Sequence, residues 1–437
     1  MYVVAYLPLI IALIVIELWS VEKAFLGIYL PCLLIFSQSF YAKIEGLPDI
    51  SFAEAAILPI GLIFLLRKMR TWRYSLMDVL VLAFVLWNAI AEYHAAGYKQ
   101  AQNVFFMSVM SVLFPYVLAK GLIERRGLRI KFAKRLAFLL FLNLIDVFHS
   151  VVFDWSIHDR MWRHVFPGES HAMWFYHRFG LPRLPVSFNH PILAGVAMAV
   201  GYRINRWLQW SKQWEPRFKV WHPINMSKAN IINWVLLVTL IFSFARGPWG
   251  AFLLSSFLCG AALSRKPRLS LIVRIIGIAL MVLFGWILVE WYVSLPATTE
   301  FRETIRFRWE LVSHYRGFIS EKPIFGWGIT NWPIKYGHLR SVDNYFVYLI
   351  VLRGFVGFGI MVAIMGSMML RLFLRCMKGR LIKPLGSKLA FTFLSIYVVF
   401  VVSFMTVWMD MQIAHIFFLI TGWAESYLMS KKEIVRS

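Results

Sequence analysis

Acidic residues are scarce in this chain of 437 residues: 22 Asp and Glu stand against 46 Lys and Arg, a formal net charge of +24 at pH 7. Cysteine is scarcer still. Cys32, Cys259 and Cys376 all fall within or at the ends of apolar runs, and no cysteine pair lies between runs on the outward side, so disulfides are not part of the design. There is no Gly-rich phosphate loop, no His-Glu-x-x-His, no Cys-x-x-Cys and no Asp-x-Asp. The last absence matters most, because a carboxylate pair of that kind is how many glycosyltransferases hold a divalent ion against a diphosphate. Any phosphate chemistry here must rest on side-chain cations.

What is abundant is apolar. Hydrophobic residues make up 60% of the chain and charged ones 16%, with a mean hydropathy of +0.66. That excludes a soluble protein, and the runs are too many for a single anchor. A hydrocarbon core takes about 20 helical residues. Stretches of roughly that length lie near 2–19, 24–40, 52–66, 76–91, 104–119, 136–153, 188–202, 230–244, 246–263, 271–293, 354–374, 389–408 and 412–429. The expectation is an all-α polytopic membrane protein of about 12–13 spans. Residues 345–352 read either as a loop helix or as membrane. The opening segment has no basic n-region and no small-residue cleavage site, so its span is expected to stay in the chain.

The positions of the cations give an orientation. Six stretches, Arg67–Arg73, Lys120–Arg135, Arg203–Lys228, Arg265–Arg274, Arg371–Lys388 and Lys431–Arg436, hold 30 of the 46 basic residues. The span count puts them all on one side, which the positive-inside rule makes the cytoplasm. They read as orientation signals and contacts to anionic membrane lipids rather than as a nucleic-acid surface. Thirteen spans then place the amino terminus outside. The chain divides into helices over 1–153, an outer loop over 154–187, helices over 188–293, a second outer loop over 294–343 and helices over 344–437.

The second loop breaks the charge rule. On the side where cations are normally few it carries Arg302, Arg306, Arg308, Arg316, Lys322, Lys335 and Arg340. Residues 300–320 read as a helix on which Arg302, Arg306, Trp309, Ser313 and Arg316 fall within about 80° of one another. Guanidinium forks suit phosphate oxygens, because they stay charged and bind bidentately; a solvated stripe is the plainer reading. Arg308 lies towards the apolar flank of Phe301, Ile305, Val312 and Ile319. The first loop mixes Trp155, Trp162, Trp174, Phe175 and Tyr176 with Arg160, Arg163, Arg178, Arg183 and four histidines, His158, His164, His171 and His177. Such a surface suits a sugar or a lipid headgroup, or seats the loop at the interface. Within the spans, Asn143, Asp146, His149 and Ser150, and again Asp410 with His415, follow helical spacing. Ionisable groups at that depth face a bundle interior or cavity, so they either line an acceptor channel or pair with Arg246 and its neighbours.

Four pieces of sequence carry a resemblance. "RWELVSHYRGFISEKPIFGWG" runs from Arg308 to Gly328, and "VDNYFVYLIVLRGFVGFG" from Val342 to Gly359. Together they resemble the O-antigen ligase and polysaccharide polymerase superfamily, with its Arg, its Pro-x-x-Gly-x-Gly, its His-Asn-x-Tyr-Leu and its Gly-x-x-Gly helix start. "SFARGPWGAF" (Ser243–Phe252) is similar to that family's Ser-Arg-Gly motif, and "SFNHPILAG" (Ser187–Gly195) to its Asn-Pro helix start, with His190 interposed. All four occur in the family's order.

The resemblance implies a GT-C-like fold and a metal-free, cofactor-free inverting glycosyltransferase. Such an enzyme moves a glycan from undecaprenyl diphosphate to a sugar hydroxyl at the outer leaflet of the bacterial cytoplasmic membrane. Arg246 and Arg308 are implied to bind the diphosphate, although Arg246 also reads as a helix-end residue snorkelling to the interface. Arg302, Arg306, Arg316, Arg340, His190, Asn344 and Tyr345 are the candidate substrate-binding residues. Asp343 replaces the family's His; it reads either as the base that takes the acceptor's proton or as a helix cap, with His314 and His338 as substitutes. The acceptor is a growing glycan or a lipid A-core, and a chain-length regulator or other biosynthesis proteins are candidate partners. A transporter or flippase of the same lipid-linked glycan is the alternative; against it, the chain has no internal repeat of the kind many transporters show.

Overall fold

The computed structural model describes residues 2–38, 40–42, 49–68, 72–165, 176–178, 180–215, 227–294, 313, 315–331, 342–378 and 384–430. They are almost wholly helical. In chain order the first helices are α1 (Leu7–Leu18), α2 (Val21–Ala24), α3 (Leu30–Ile35), α4 (Phe52–Lys68), α5 (Leu76–Ala96), α6 (Tyr98–Ser108), α7 (Phe114–Leu122), α8 (Arg129–Leu142) and α9 (Leu144–Phe153). Then come α10 (Ile157–Val165), α11 (Pro191–Trp210), α12 (Lys228–Phe242), α13 (Arg246–Cys259), α14 (Pro267–Ser294), α15 (315–321), α16 (Tyr345–Met377), α17 (Pro384–Phe404) and α18 (Met411–Met429). Two short antiparallel hairpins, β1 (Tyr41–Ala42) with β2 (Ile50–Ser51) and β3 (Tyr176–Arg178) with β4 (Leu181–Arg183), are the strand pairs among the described residues.

Each of the thirteen apolar stretches overlaps a helix, although 36–38, 188–190 and 405–408 fall outside helix. By length and composition, five helical stretches among the described residues can cross a membrane: Leu76–Ala96, Tyr98–Leu122, Arg129–Phe153, Pro267–Trp291 and Tyr345–Met377. Val4–Leu18, Lys228–Phe242 and Lys388–Phe404 are apolar but shorter.

Proline explains two irregularities that hydropathy does not show. A π turn at Phe25–Tyr29 precedes Pro31, and another at Val109–Leu113 precedes Pro115. Proline lacks an N–H and its ring crowds the carbonyl four residues back, and a widened turn accommodates both without ending the helix. The ambiguous stretch 345–352 is helical and opens α16, which then breaks at Gly354, with φ 67° and ψ −176°.

The core is packed around α18. Trp423 is fully buried, edge-on to Phe393 at 4.9 Å and to Phe132 at 5.3 Å, and α18 lies along α7. The end of the bundle that carries the basic stretches is fastened by ion pairs. The wholly buried Lys120 meets Asp78 at 2.5 Å and Ser75 Oγ at 3.0 Å. Arg371 meets Glu425 at 2.5 Å, and Glu124 takes both Arg129, at 2.5 Å, and the Trp423 indole, at 2.7 Å. Asp78, Glu124 and Glu425 are committed here, because a buried cation is stable only with its counter-charge in place.

Candidate functional site

At the opposite end of the bundle the described parts of the four sequence pieces come together in two pairs. The first pair joins Ser187–Gly195 to Ser243–Phe252. His190 sits at the N-cap of α11, its Nδ1 accepting from the Ile192 N–H at 3.2 Å, with Pro191 at the first helical position, where its missing N–H costs nothing. Gly195 then allows close approach. A Cβ there would lie 2.9 Å from Pro248 Cβ and 3.0 Å from Ser243 Oγ. The backbone is strained beside both pieces, since Val186 has φ 48° and Phe244 φ 43°, values that a β-branched or aromatic residue adopts only when its surroundings impose them.

The hairpin within 154–187 supplies what imposes one of them. Arg178 donates to the Phe244 carbonyl at 2.7 Å, Arg183 Nε to the Ser243 carbonyl at 3.1 Å, and the Leu184 N–H to the Phe242 carbonyl at 3.2 Å. The β3–β4 hairpin is thus strapped across the turn that delivers Arg246, the first residue of α13, whose side chain is exposed. Two arginines of the expected sugar surface therefore hold backbone.

The second pair joins the Pro323–Gly328 loop to the break in α16. The Trp327 N–H donates to the Val351 carbonyl at 2.8 Å, the Gly328 N–H to the Leu352 carbonyl at 3.1 Å and the Phe355 N–H to the Pro323 carbonyl at 2.8 Å. Gly326 and Gly328 adopt φ 72° and 71°, and a Cβ on Gly326 would lie 2.5 Å from the Leu352 carbonyl carbon. Asn344, not Asp343, is the cap of α16, its side-chain oxygen accepting from the Phe346 and Val347 N–H groups at 3.0 and 3.2 Å. Asp343 is half-buried beside it. Of the expected arginine stripe, Ser313 and Arg316 are described and both are exposed, while Tyr315 on the other face packs with Val342, Val347 and Val351.

Sequence reasoning missed the groups that anchor this loop. Glu92, wholly buried near the end of α5, receives Arg353 Nη1 at 2.5 Å and the Ile329 N–H at 3.0 Å. The Trp87 indole donates to the Arg353 carbonyl at 2.8 Å, and Phe325 stacks on Trp87 at 5.3 Å. A signal was present, because a carboxylate and a guanidinium each stand one residue beyond an apolar run. At an interface such residues need no partner, so neither stood out.

Residues 404–408 join the two pairs. The buried Tyr345 ring lies 5.2 Å from Phe404, the His190 ring lies 5.5 Å from Trp408, and Gly247 faces Thr406 so closely that a Cβ would overlap its Oγ1. His190, Tyr345 and the residue after Arg246 thus border one short segment.

The polar residues within the spans divide. Asn143 donates to the Leu34 carbonyl at 3.2 Å and accepts from the Ser187 N–H at 3.3 Å, which fixes the start of the first pair. Asp146 accepts from Ser156 Oγ at 3.0 Å and the Ile157 N–H at 2.8 Å. Beside it, His158 Nε2 lies 2.5 Å from the Ile35 carbonyl. Burial opposes a charge on His158, but Asp146, 3.4 Å from Nδ1, and the Ile35 carbonyl outweigh it and raise the imidazole above its ordinary 6.5. Asp410 caps α18 through one oxygen, 2.8 Å from the Ile413 N–H, and His415 Nδ1 lies 2.8 Å from the Tyr29 hydroxyl. Among the described residues Asp410 Oδ2, Gln412 Oε1 and His415 Nε2 are buried without a hydrogen-bond partner.

Arg302, Arg306, Arg308 and Arg340 lie outside the described residues, as do His314 and His338. Among the described residues no group of three or more His, Cys, Asp and Glu side chains is placed to hold a metal ion. The chain matches no model of a known family, and a search among curated proteins finds no match.

Proposed function

We propose that the protein is a membrane glycosyltransferase of the O-antigen ligase and polysaccharide polymerase kind, GT-C-like in fold. Its transfer site would lie at the outer leaflet of the bacterial cytoplasmic membrane, around residues 404–408. The observation that carries this reading is the convergence on that segment of His190, Tyr345 and the turn that presents Arg246. These come from three pieces of sequence far apart in the chain.

In this reading the substrate is a glycan on undecaprenyl diphosphate. The acceptor hydroxyl attacks the anomeric carbon from the face opposite the diphosphate and loses its proton to Asp343. The bond from that carbon to the diphosphate oxygen breaks, and the configuration inverts. Arg246 and Arg308 would bind the leaving diphosphate, because fixed cations in a site shielded from water act most strongly where negative charge grows. Arg302, Arg306, Arg316 and Arg340 would gather the lipid-linked anion from the outer side. His190 and Asn344, which cap their helices, and Tyr345, which packs on Phe404, shape the site they border. The absence of Asp-x-Asp supports cations rather than a bound metal as the counter-charge.

The test uses full-length protein in liposomes with a lipid-linked glycan and a sugar acceptor. Release of undecaprenyl diphosphate together with a lengthened glycan is the expected result, and Arg246→Ala should slow it by about 10²–10³-fold, the usual cost of losing one contact to developing charge. Exchange of the lipid-linked glycan between leaflets with no diphosphate released would overturn the reading and make the protein a flippase.

A further inference from the structure

We propose that the groove between α1, the Phe25–Tyr29 π turn and the start of α8 binds one anionic phospholipid. An acyl chain lies along its floor, and the headgroup phosphate sits among cations at its rim. The groove has a volume of about 560 Å³, and its floor is Val15, Leu26, Gly27, Ile28 and Leu128. Lys23, Lys131 and Arg135 line it as well, and all three are exposed. Glu22 is its one acidic residue, and that carboxylate is turned to Arg126 at 3.5 Å, so it leaves the rim positive. Trp19 completes the edge, with the Lys23 ammonium 5.3 Å from its ring centroid. An indole and cations above an apolar slot match the order of a phospholipid from interface to tail.

Two features argue for a seated molecule rather than loose surface lipid. The π turn widens the helix at Phe25–Tyr29, and its central residue is a glycine whose missing side chain leaves the slot open: a Cβ on Gly27 would meet nothing within 4 Å. The groove also stands at the basic end of the bundle, where α8 begins at Arg129. Anionic lipids concentrate at such an end if the positive-inside rule holds for this chain. The proposal does not depend on glycan transfer.

The experiment incorporates purified full-length protein into phosphatidylcholine vesicles. These contain a trace of phosphatidylglycerol, or of phosphatidylcholine, carrying a photoreactive diazirine in one acyl chain, and labelled peptides are then mapped. Phosphatidylglycerol should label the peptides containing residues 15–28 and 128 several-fold more than phosphatidylcholine does. Lys131→Gln should lower that labelling about fivefold, the usual share of one cation at a lipid surface. Gly27→Leu, which puts a side chain into the slot from a Cβ position with nothing within 4 Å, should abolish it while the protein elutes as before on size exclusion. Joint replacement of Lys23, Lys131 and Arg135 by Gln provides the same test without touching the floor. Equal labelling by the two lipids, phosphatidylglycerol labelling that survives Gly27→Leu in folded protein, competition by glycerol phosphate alone, or crosslinks between two chains in place of lipid adducts would each overturn the proposal.

Discussion

Replacing Gly354 by alanine tests whether the break in α16 is what holds the Pro323–Gly328 loop. Gly354 has φ 67° and ψ −176°, a region nearly reserved for glycine that costs other residues about 1–3 kcal/mol. A Cβ there would overlap the Ile324 carbonyl oxygen and lie 2.7 Å from that of Pro323. Helix and loop must therefore separate, which breaks the backbone bonds Trp327 to Val351, Gly328 to Leu352 and Phe355 to Pro323. At a net ~1 kcal/mol for each bond, docking weakens by roughly 3 kcal/mol. Since 1.4 kcal/mol is a factor of ten, amide exchange at those three N–H groups should accelerate about 100-fold. Gly359 in the same helix is the control. A Cβ there meets nothing within 4 Å, and Gly359→Ala should stabilise the helix by about 0.5–1 kcal/mol. The assay is hydrogen exchange followed by mass spectrometry on detergent-solubilised protein. Unchanged exchange at Trp327, Gly328 and Phe355 in Gly354→Ala, or equal acceleration in both variants, would refute the docking argument.

Three further outcomes follow from the same structure. Glu92→Gln leaves Arg353 buried without its counter-charge and should cost about 3–5 kcal/mol, read as a lowered melting temperature. The pair Glu92→Leu with Arg353→Met should recover most of that stability yet leave the loop loose, because the Ile329 N–H loses its acceptor; a single variant as stable as the native protein would show that the ion pair does not anchor the loop. Gly247→Ala should impair the proposed glycan transfer by forcing α13 away from Thr406, whereas Gly250→Ala, with open space around it, should not; Thr406→Gly in the Gly247→Ala background should restore activity, and failure to do so would remove the contact from the account. For His158 the folded imidazole is raised above 6.5 by Asp146, so its contribution is complete below about pH 6.5 and fades as pH rises through the folded value. Proteolysis of 154–165 should accordingly quicken between mildly acidic and alkaline pH in the native protein, and His158→Gln should flatten that rise; an unaltered profile would assign the pH dependence elsewhere.

Most of the helical layout was legible because apolar runs of membrane length leave few alternatives to helix. What was not legible is how those helices are interrupted and held. Pro31 and Pro115 stand inside two apolar runs, but whether a proline ends a helix, kinks it or is absorbed by a π turn depends on the packing around it. Glu92 and Arg353 lie 261 positions apart, so their pairing belongs to tertiary structure and not to any local pattern. Arg178 and Arg183 show the reverse error. Cations among aromatics between two apolar runs look like a ligand surface, yet these two satisfy carbonyls of a strained turn, a use that composition does not distinguish from recognition.

The division between glycines and charges points to how a transfer site could be built here. Gly195, Gly247, Gly326 and Gly354 each face another segment so closely that a side chain would displace it, so they bring backbones together. Arg246 and Arg316, by contrast, are exposed at the same end. A site that must grip a departing diphosphate and then release it needs cations that reach solvent, since a guanidinium neutralised by a buried carboxylate, as Arg353 is by Glu92, has little field left for a ligand. Arg353 can therefore be essential to the loop without touching substrate, whereas the proposed reading gives Arg246 the contact with the diphosphate. A substitution that spares charge but not shape separates the two roles: Arg353→Lys should loosen the loop, because a single ammonium cannot reproduce the planar fork of a guanidinium. Arg246→Lys should leave the fold intact and slow only the step in which the diphosphate departs.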